Sequence, residues 1–182
     1  SAVLTPTMPS DPTPSTSKYN WALLGREAPP KRPADERVQD FREVYATFDE
    51  ETVREQAARC IQCPEPLCAK GCPLANRIPE WLALAAAGDF IGAAALSRST
   101  SNLPEVCSRV CPQERLCETS CILSAKGDTI AIGAIERFIN DYAFRHGAVD
   151  YVTAPPNGRR VAVIGSGPGG LACADELAKL GY

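Results

Sequence analysis

Along most of this chain, apolar residues recur at helical rather than strand spacing. From Asp35 onward, Val38, Phe41, Val44 and Tyr45 fall three to four apart and predict a first helix. Asp49 can cap a second, with Glu50 and Glu51 favourable in its first turn and Val53, Ala57 and Ile61 on one face. Pro79 suits the first turn of a third helix and Gly88 its stop, with Trp81, Leu82 and Ala85 turned inward. Asp89 restarts a helix through Leu96, and a polar stretch over 97–102 follows. The longest periodic segment is 130–145, with Ile132, Ile135, Ile139 and Tyr142 as its stripe. Arg145 and the sole histidine, His146, sit where a helix dipole favours positive charge, and Gly147 ends the helix. His146 therefore reads more simply as a capping residue than as a ligand.

Only 160–164 has the pattern of a buried strand, with Val161, Val163 and Ile164, and it runs straight into Gly165. Residues 171–180 return to helical spacing, and Gly181 suits the end of that helix. Residues 1–17 are mostly Ser, Thr and Pro, too poor in apolar surface to offset the entropy of ordering. They read as a disordered tail or a cloning remnant. The expected organisation is a tail over 1–30, a helical domain over 31–147, a Pro- and Gly-containing linker over 148–158, and the start of a second domain over 159–182. The expected fold class is mainly α, with one terminal strand and helix of a Rossmann type.

Composition narrows the function. Of 182 residues, 23% are charged and the net charge is −3, which argues against a nucleic-acid or anionic-membrane surface. No apolar run reaches the roughly 18–20 residues that span a bilayer, and no basic stretch followed by an apolar one marks a secretory signal. The chain begins at Ser1, so it reads as processed, tagged or cut. Its nine cysteines are odd in number, and eight fall in two tight groups. That pattern favours metal centres in a reducing, cytoplasmic compartment over a disulfide framework.

The first group is Cys60-x2-Cys63-x4-Cys68-x3-Cys72-Pro73, and the second is Cys107-x3-Cys111-Pro112-x4-Cys117-x3-Cys121. Short spacings let thiolates converge on one cluster, and thiolates suit iron in iron–sulfur centres. In ferredoxin-type runs the cysteine before proline serves the other cluster, and Cys72 holds that position. Zinc more often takes paired C-x2-C knuckles, which neither group offers twice. Two [4Fe–4S] clusters in a small helical domain are expected, with a zinc-stabilised structural or adaptor domain as the alternative from another class. One acid stands out. At ~100° per residue Glu136 projects within roughly 40° of Ile132, inside the apolar stripe, where a carboxylate must be paired, bound to metal or at the edge. Both a core ion pair and a site role remain open on the pattern alone.

The second motif is Gly165-Ser-Gly167-Pro-Gly-Gly170, a G-x-G-x-x-G between a strand pattern and a helix pattern. Gly165 permits the tight turn, Gly167 lets a pyrophosphate approach the backbone, and Gly170 lets helix and strand pack closely. The helix N-terminus adds amides and a positive dipole end. The usual second strand and its ribose-binding acid would lie about 20 residues further on, past Tyr182. Cys173 on this helix reads as a small core residue.

Together these features resemble the small subunit of NADPH-dependent glutamate synthase and the N-terminal part of dihydropyrimidine dehydrogenase, over about residues 31–182. The carriers are Pro30-Lys-Arg-Pro33, Gln56-Ala-Ala-Arg-Cys-Ile-Gln-Cys63, Gly71-Cys-Pro-Leu-Ala-Asn76 with Ile78-Pro79, Leu103-Pro-Glu-Val-Cys-Ser-Arg-Val-Cys-Pro-Gln113, and Ile132-Gly-Ala-Ile-Glu136. The resemblance implies that Gly165, Gly167 and Gly170 belong to an FAD-binding loop. It implies an interleaved ligand set, with Cys60, Cys63, Cys68 and Cys121 on one cluster. The other would take Cys72, Cys111 and Cys117, with Glu136 where the dehydrogenase has a glutamine ligand, and Cys107 would be spare. In that family NADPH gives a hydride to FAD, and electrons pass singly through the clusters to a flavin in a partner subunit or domain. The expected function is that electron-transfer module of an NAD(P)H-dependent flavoprotein, not catalytic alone, with a pyrimidine dehydrogenase or transhydrogenase module as the redox alternative.

Overall fold

The computed structural model describes residues 19–149 and 151–182. Its elements, in chain order, are helices α1 (Asn20–Leu23), α2 (Ala34–Arg37), α3 (Glu50–Ala58), α4 (Leu67–Gly71), α5 (Ile78–Ala86), α6 (Phe90–Arg98), α7 (Pro104–Val110), α8 (Ile132–Arg145) and α9 (Pro168–Lys179). Two 3₁₀ turns, Gln113–Arg115 and Ile122–Lys126, lie between α7 and α8. The mainly helical fold expected from the periodicity is present.

Local chemistry accounts for the helix ends. The Asp49 carboxylate accepts from Thr52 N at 2.8 Å and starts α3. Asp89 does the same for α6 through Gly92 N at 2.8 Å. Between them, α5 stops where Gly88 takes φ +85°, a left-handed conformation that costs glycine little. At the end of α8 the His146 ring stacks on Tyr142 at 4.0 Å and its Nδ1 meets Tyr142 O at 2.8 Å. The histidine thus closes the helix, as its position suggested.

The core lies where α5 packs on α3 and α6, and where α8 packs on α6 and α7. Trp81, Leu82, Ile135, Ile139 and Val53 are fully buried there. Phe90 of α6 meets Phe138 and Tyr142 of α8 edge-on, at 5.0 and 5.1 Å. Burying each such aliphatic or aromatic side chain contributes about 1.5–3 kcal/mol, so the α8 stripe alone anchors the long helix firmly.

Three expectations need correction. The helix expected from Asp35 is a single turn, α2, and the segment after it is irregular, with Val38 and Phe41 exposed. Arg32 grips Asp40 through both terminal nitrogens, and Arg32 N and Ala46 N donate to Val44 O and Pro30 O. These bonds hold the segment as a strap with one bridge, Lys31 to Tyr45, in place of helical hydrogen bonds. The expected tail over 1–30 is only partly open to description, since 1–18 lie outside the described residues. From residue 19 on the chain is placed: Gln56 donates to Gly25 O and accepts from Glu27 N, and Trp21 packs against the core. Finally, 160–164 carry no strand, because a ladder needs a neighbour and none runs beside them among the described residues. The helix expected over 171–180 is present as α9. The linker is hydrogen-bonded to it, with Ala154 N and Asn157 N donating to Lys179 O and Gly181 O.

Candidate metal centres

Both cysteine groups are delivered by helix ends and tight turns. Cys60 follows the last turn of α3, and Gln62 then takes φ +54° and donates to Pro79 O at 2.9 Å. That left-handed residue turns the chain so that Cys63 comes back beside Cys60. Cys68 sits in α4 and Cys72 at its C-terminal end, so this short helix sends one thiol to each side. Cys107 lies in α7, Cys111 ends it, and Cys121 opens the second 3₁₀ turn.

The spatial grouping crosses the sequence grouping. Cys60, Cys63, Cys68 and Cys121 share one wall with Pro79, Leu82 and Ile130. Cys72, Cys107, Cys111, Cys117 and Glu136 line a second cavity of about 280 Å³ with Trp81 and Asn76. Ile132 of α8 belongs to both walls, so the two sites are neighbours. The first four thiols close on a space of about 20 Å³, so it is their chemistry, rather than free volume, that fits a cluster there.

All nine cysteines are free thiols, eight of them half-buried. Among the described residues, no three His, Cys, Asp or Glu side chains are close enough to hold a single metal ion. A cubane spreads its ligands over a wider ring than one ion does. Burial pushes Cys60 and Cys117 up to about 12, and Cys68 and Cys111 up to about 11, with neighbouring thiols and carboxylates adding to the rise. Alone, these sulfurs stay protonated. A bound cation of high charge deprotonates such a thiol outright, and thiols gathered on each wall are the soft donors that iron–sulfur clusters take.

Glu136 reaches the second cavity from α8. Loss of solvent pushes its carboxyl up to about 7, only partly offset by Ser97, whose hydroxyl donates to Oε1 at 3.4 Å. Behind it runs a buried polar chain. Trp81 Nε1 donates to Asn76 Oδ1 at 2.8 Å, Asn76 Nδ2 to Ser97 O at 3.0 Å, and Asn140 Nδ2 to Glu136 O at 2.9 Å. Cys107 was expected to be spare, yet it borders the same cavity, with its Sγ 3.9 Å from Ser101 Oγ. The structure thus brings five donors to the second cavity and four to the first.

Three supporting residues were not singled out from the sequence. Arg59 is fully buried and donates to three carbonyls. Glu118 accepts from Gly133 N at the start of α8 and from Arg26. Gln113 packs so closely on Gly133 that a Cβ there would collide with it. The signal available for each was a polar residue beside a cysteine or an apolar run, which alone does not tell burial from exposure.

The glycine loop stands apart from the cysteines. A Cβ on Gly170 would strike the Gly165 carbonyl, whereas Gly165 and Gly167 face open space. Gly165 has φ +112°, and Gly167 precedes Pro168 at the first turn of α9. A tight turn with bare backbone before a helix N-terminus fits a pyrophosphate. Cys173, expected in a core, is exposed on α9, since no sheet covers that face among the described residues.

The model of the family described as dihydropyrimidine dehydrogenase domain II, 4Fe-4S cluster, matches residues 37–148. Among curated proteins, the chain is 48% identical to the glutamate synthase [NADPH] small chain of Escherichia coli K12, over 92% of this chain and 36% of that one. It is 47% identical to the protein of the same name from Azospirillum brasilense, over 90% and 35%. A further E. coli protein, UacF, carrying only the general name of an oxidoreductase, is 42% identical over 94% and 27%. The chain therefore spans about a third of the length of these curated relatives.

Proposed function

Because the chain belongs to the family of dihydropyrimidine dehydrogenase domain II, with its 4Fe-4S cluster, we propose that it is the electron-transfer module of an NAD(P)H-dependent flavoprotein of the glutamate synthase type. The observation that carries this reading is the crossing of the two cysteine runs into two adjacent sites that share Ile132. In it, Cys60, Cys63, Cys68 and Cys121 hold one [4Fe–4S] cluster, and Cys72, Cys111, Cys117 and Glu136 hold the other. Bound there, the clusters would supply one-electron carriage. The chain's own part is to fix the donors on helix ends, exclude water with Trp81, Leu82 and Ile132, and set the charge around each site. The loop over 165–170 takes the pyrophosphate of FAD, through its bare backbone and the amides that open α9.

Residues 31–147 form the cluster domain on this reading, and 159–182 open a nucleotide-binding domain. The electrons leave to a larger flavin-containing subunit or domain, where the substrate chemistry occurs, in the cytoplasm. Among the described residues no helix is long and apolar enough to cross a membrane. A pyrimidine-reducing parent is the second reading, favoured by the description of the matching family.

The test is metal content. Protein purified without oxygen should be brown and carry about eight iron and eight sulfide per chain, as two cubanes require. Stoichiometric zinc in protein made with ample iron would reject the electron-transfer reading in favour of a structural zinc domain.

A further inference from the structure

Arg59 takes no part in the ligand sets above, yet it is among the most deeply buried side chains, 1% exposed. It caps the C-terminal end of α3 and directly precedes Cys60. Its guanidinium donates to Leu24 O at 2.9 Å, Thr129 O at 2.8 Å and Asp128 O at 3.0 Å. All three acceptors are main-chain carbonyls. They give each of its three nitrogens one acceptor but supply no negative charge. Burial, with the like charge of Arg26, lowers the pKa of the guanidinium from its ordinary value, opposed by the charges of Asp128 and Cys121, yet an arginine stays protonated in proteins. An isolated buried cation is costly unless a counter-charge is near.

The fold places that cation next to the first site: Cys60 follows it in sequence, and it donates to Thr129 O, whose next residue, Ile130, lines the same wall as Cys60 and Cys121. A cubane held by four thiolates is an anion, and taking up one electron makes it more negative. A fixed positive charge in a dry site favours the reduced form over the oxidised one, and surrounding charge is one of the factors that sets such potentials. We propose that Arg59 is the buried counter-charge of the cluster held by Cys60, Cys63, Cys68 and Cys121, and that it raises the reduction potential of that cluster relative to its neighbour. This inference rests on the cluster reading above. It also gives the three carbonyl bonds a purpose, since they tie the segment at Leu24 and the turn at 128–129 around the charge and keep water out.

The experiment compares the parent chain with Arg59→Gln and Arg59→Lys, each loaded anaerobically. Iron and sulfide are counted first, and both clusters are then titrated against redox mediators by electron paramagnetic resonance. In Arg59→Gln one potential should move negative while the other holds, and in Arg59→Lys both should stay near the parent values. Both potentials unchanged in a fully loaded Arg59→Gln would overturn the proposal. Equal shifts in Gln and Lys would also overturn it, because the lost hydrogen-bond clamp, not the charge, would then be the cause. Should Arg59→Gln fail to load, a chain with citrulline installed at position 59 by ligation takes its place. That side chain is neutral and of similar shape, and the same negative shift must appear. A parent chain without iron and sulfide would instead defeat the cluster reading itself.

Discussion

Replacing Cys121 by alanine separates the two ways of pairing eight cysteines with two clusters. Grouped as they run in the sequence, Cys121 serves with Cys107, Cys111 and Cys117. In the fold it stands with Cys60, Cys63 and Cys68, 53 residues away from the last of them, while Cys72 stands with Cys111 and Cys117. The substitution removes a half-buried side chain from the wall of the first site and leaves Glu136, Trp81 and the second cavity untouched. The backbone cost is small, because Cys121 only opens a 3₁₀ turn and makes no side-chain cap. The metal cost is large: one of four thiolates is lost from one cubane and none from the other. Iron should fall from about eight per chain to about four, since each cubane carries four. The assay is iron and labile sulfide per chain, with the paramagnetic resonance of the reduced protein. The signal that survives in Cys121→Ala should match the survivor in Cys60→Ala. It should differ from the survivor in Cys72→Ala, which should match Cys117→Ala. If Cys121→Ala instead pairs with Cys117→Ala, the crossed arrangement is wrong, and the cavity walls have misled the assignment.

Further outcomes follow from the same geometry. Cys107→Ala should keep about eight iron, whereas Glu136→Ala should shift the potential of the second cluster or loosen it, with Glu136→Gln milder because an amide oxygen still faces the iron. Loss of half the iron in Cys107→Ala would give the fourth position to Cys107. Trp81→Phe removes the donor to Asn76 Oδ1 at a site with no exposure. Leaving that oxygen unpaired should lower the stability of the loaded chain by about 1–3 kcal/mol in denaturant titration, and an unmoved midpoint would count against the polar chain behind Glu136. Glu43, on the strap, pairs with Arg109 of α7 and Arg137 of α8, and it is held below its ordinary value of 4.5, first by the hydrogen bond from Arg109 and then by the charge of Arg137. A carboxyl lowered on folding adds stability that is complete above its unfolded value and is lost as pH falls through its folded value. Glu43→Gln should therefore flatten the acid side of the stability curve below about pH 4.5, read as thermal midpoint against pH, and an identical acid limb in both proteins would remove Glu43 from the strap's hold on α7 and α8.

Much of this protein is written in short-range pattern. Asp49 and Asp89 as caps, Gly88 and Gly147 as stops, and the stripe of Ile132, Ile135 and Ile139 all act within a few residues, so their spacing alone determines α3, α5, α6 and α8. The choice of thiolates and their tight spacing likewise favour iron–sulfur chemistry over zinc before any fold is known. What the tertiary structure decided depends on distant partners. Val38, Phe41, Val44 and Tyr45 have helical spacing, but Arg32 holds Asp40, Glu43 pairs with Arg109 and Arg137, and the segment becomes a strap, because these ion pairs and two backbone bonds outweigh a weak propensity. The strand pattern at Val161, Val163 and Ile164 has no neighbour to pair with among the described residues, and a strand is a property of two segments. Which thiol stands beside which was equally beyond the pattern. Cys121 stands with Cys60 only because the chain after α7 returns to the start of α8, where Glu118 accepts from Gly133 N, and the burial of Arg59 follows from Leu24, Asp128 and Thr129 closing around it. Spacing along a chain fixes neighbours within a turn or two of helix, whereas burial and long-range pairing emerge only when the apolar faces have been driven together.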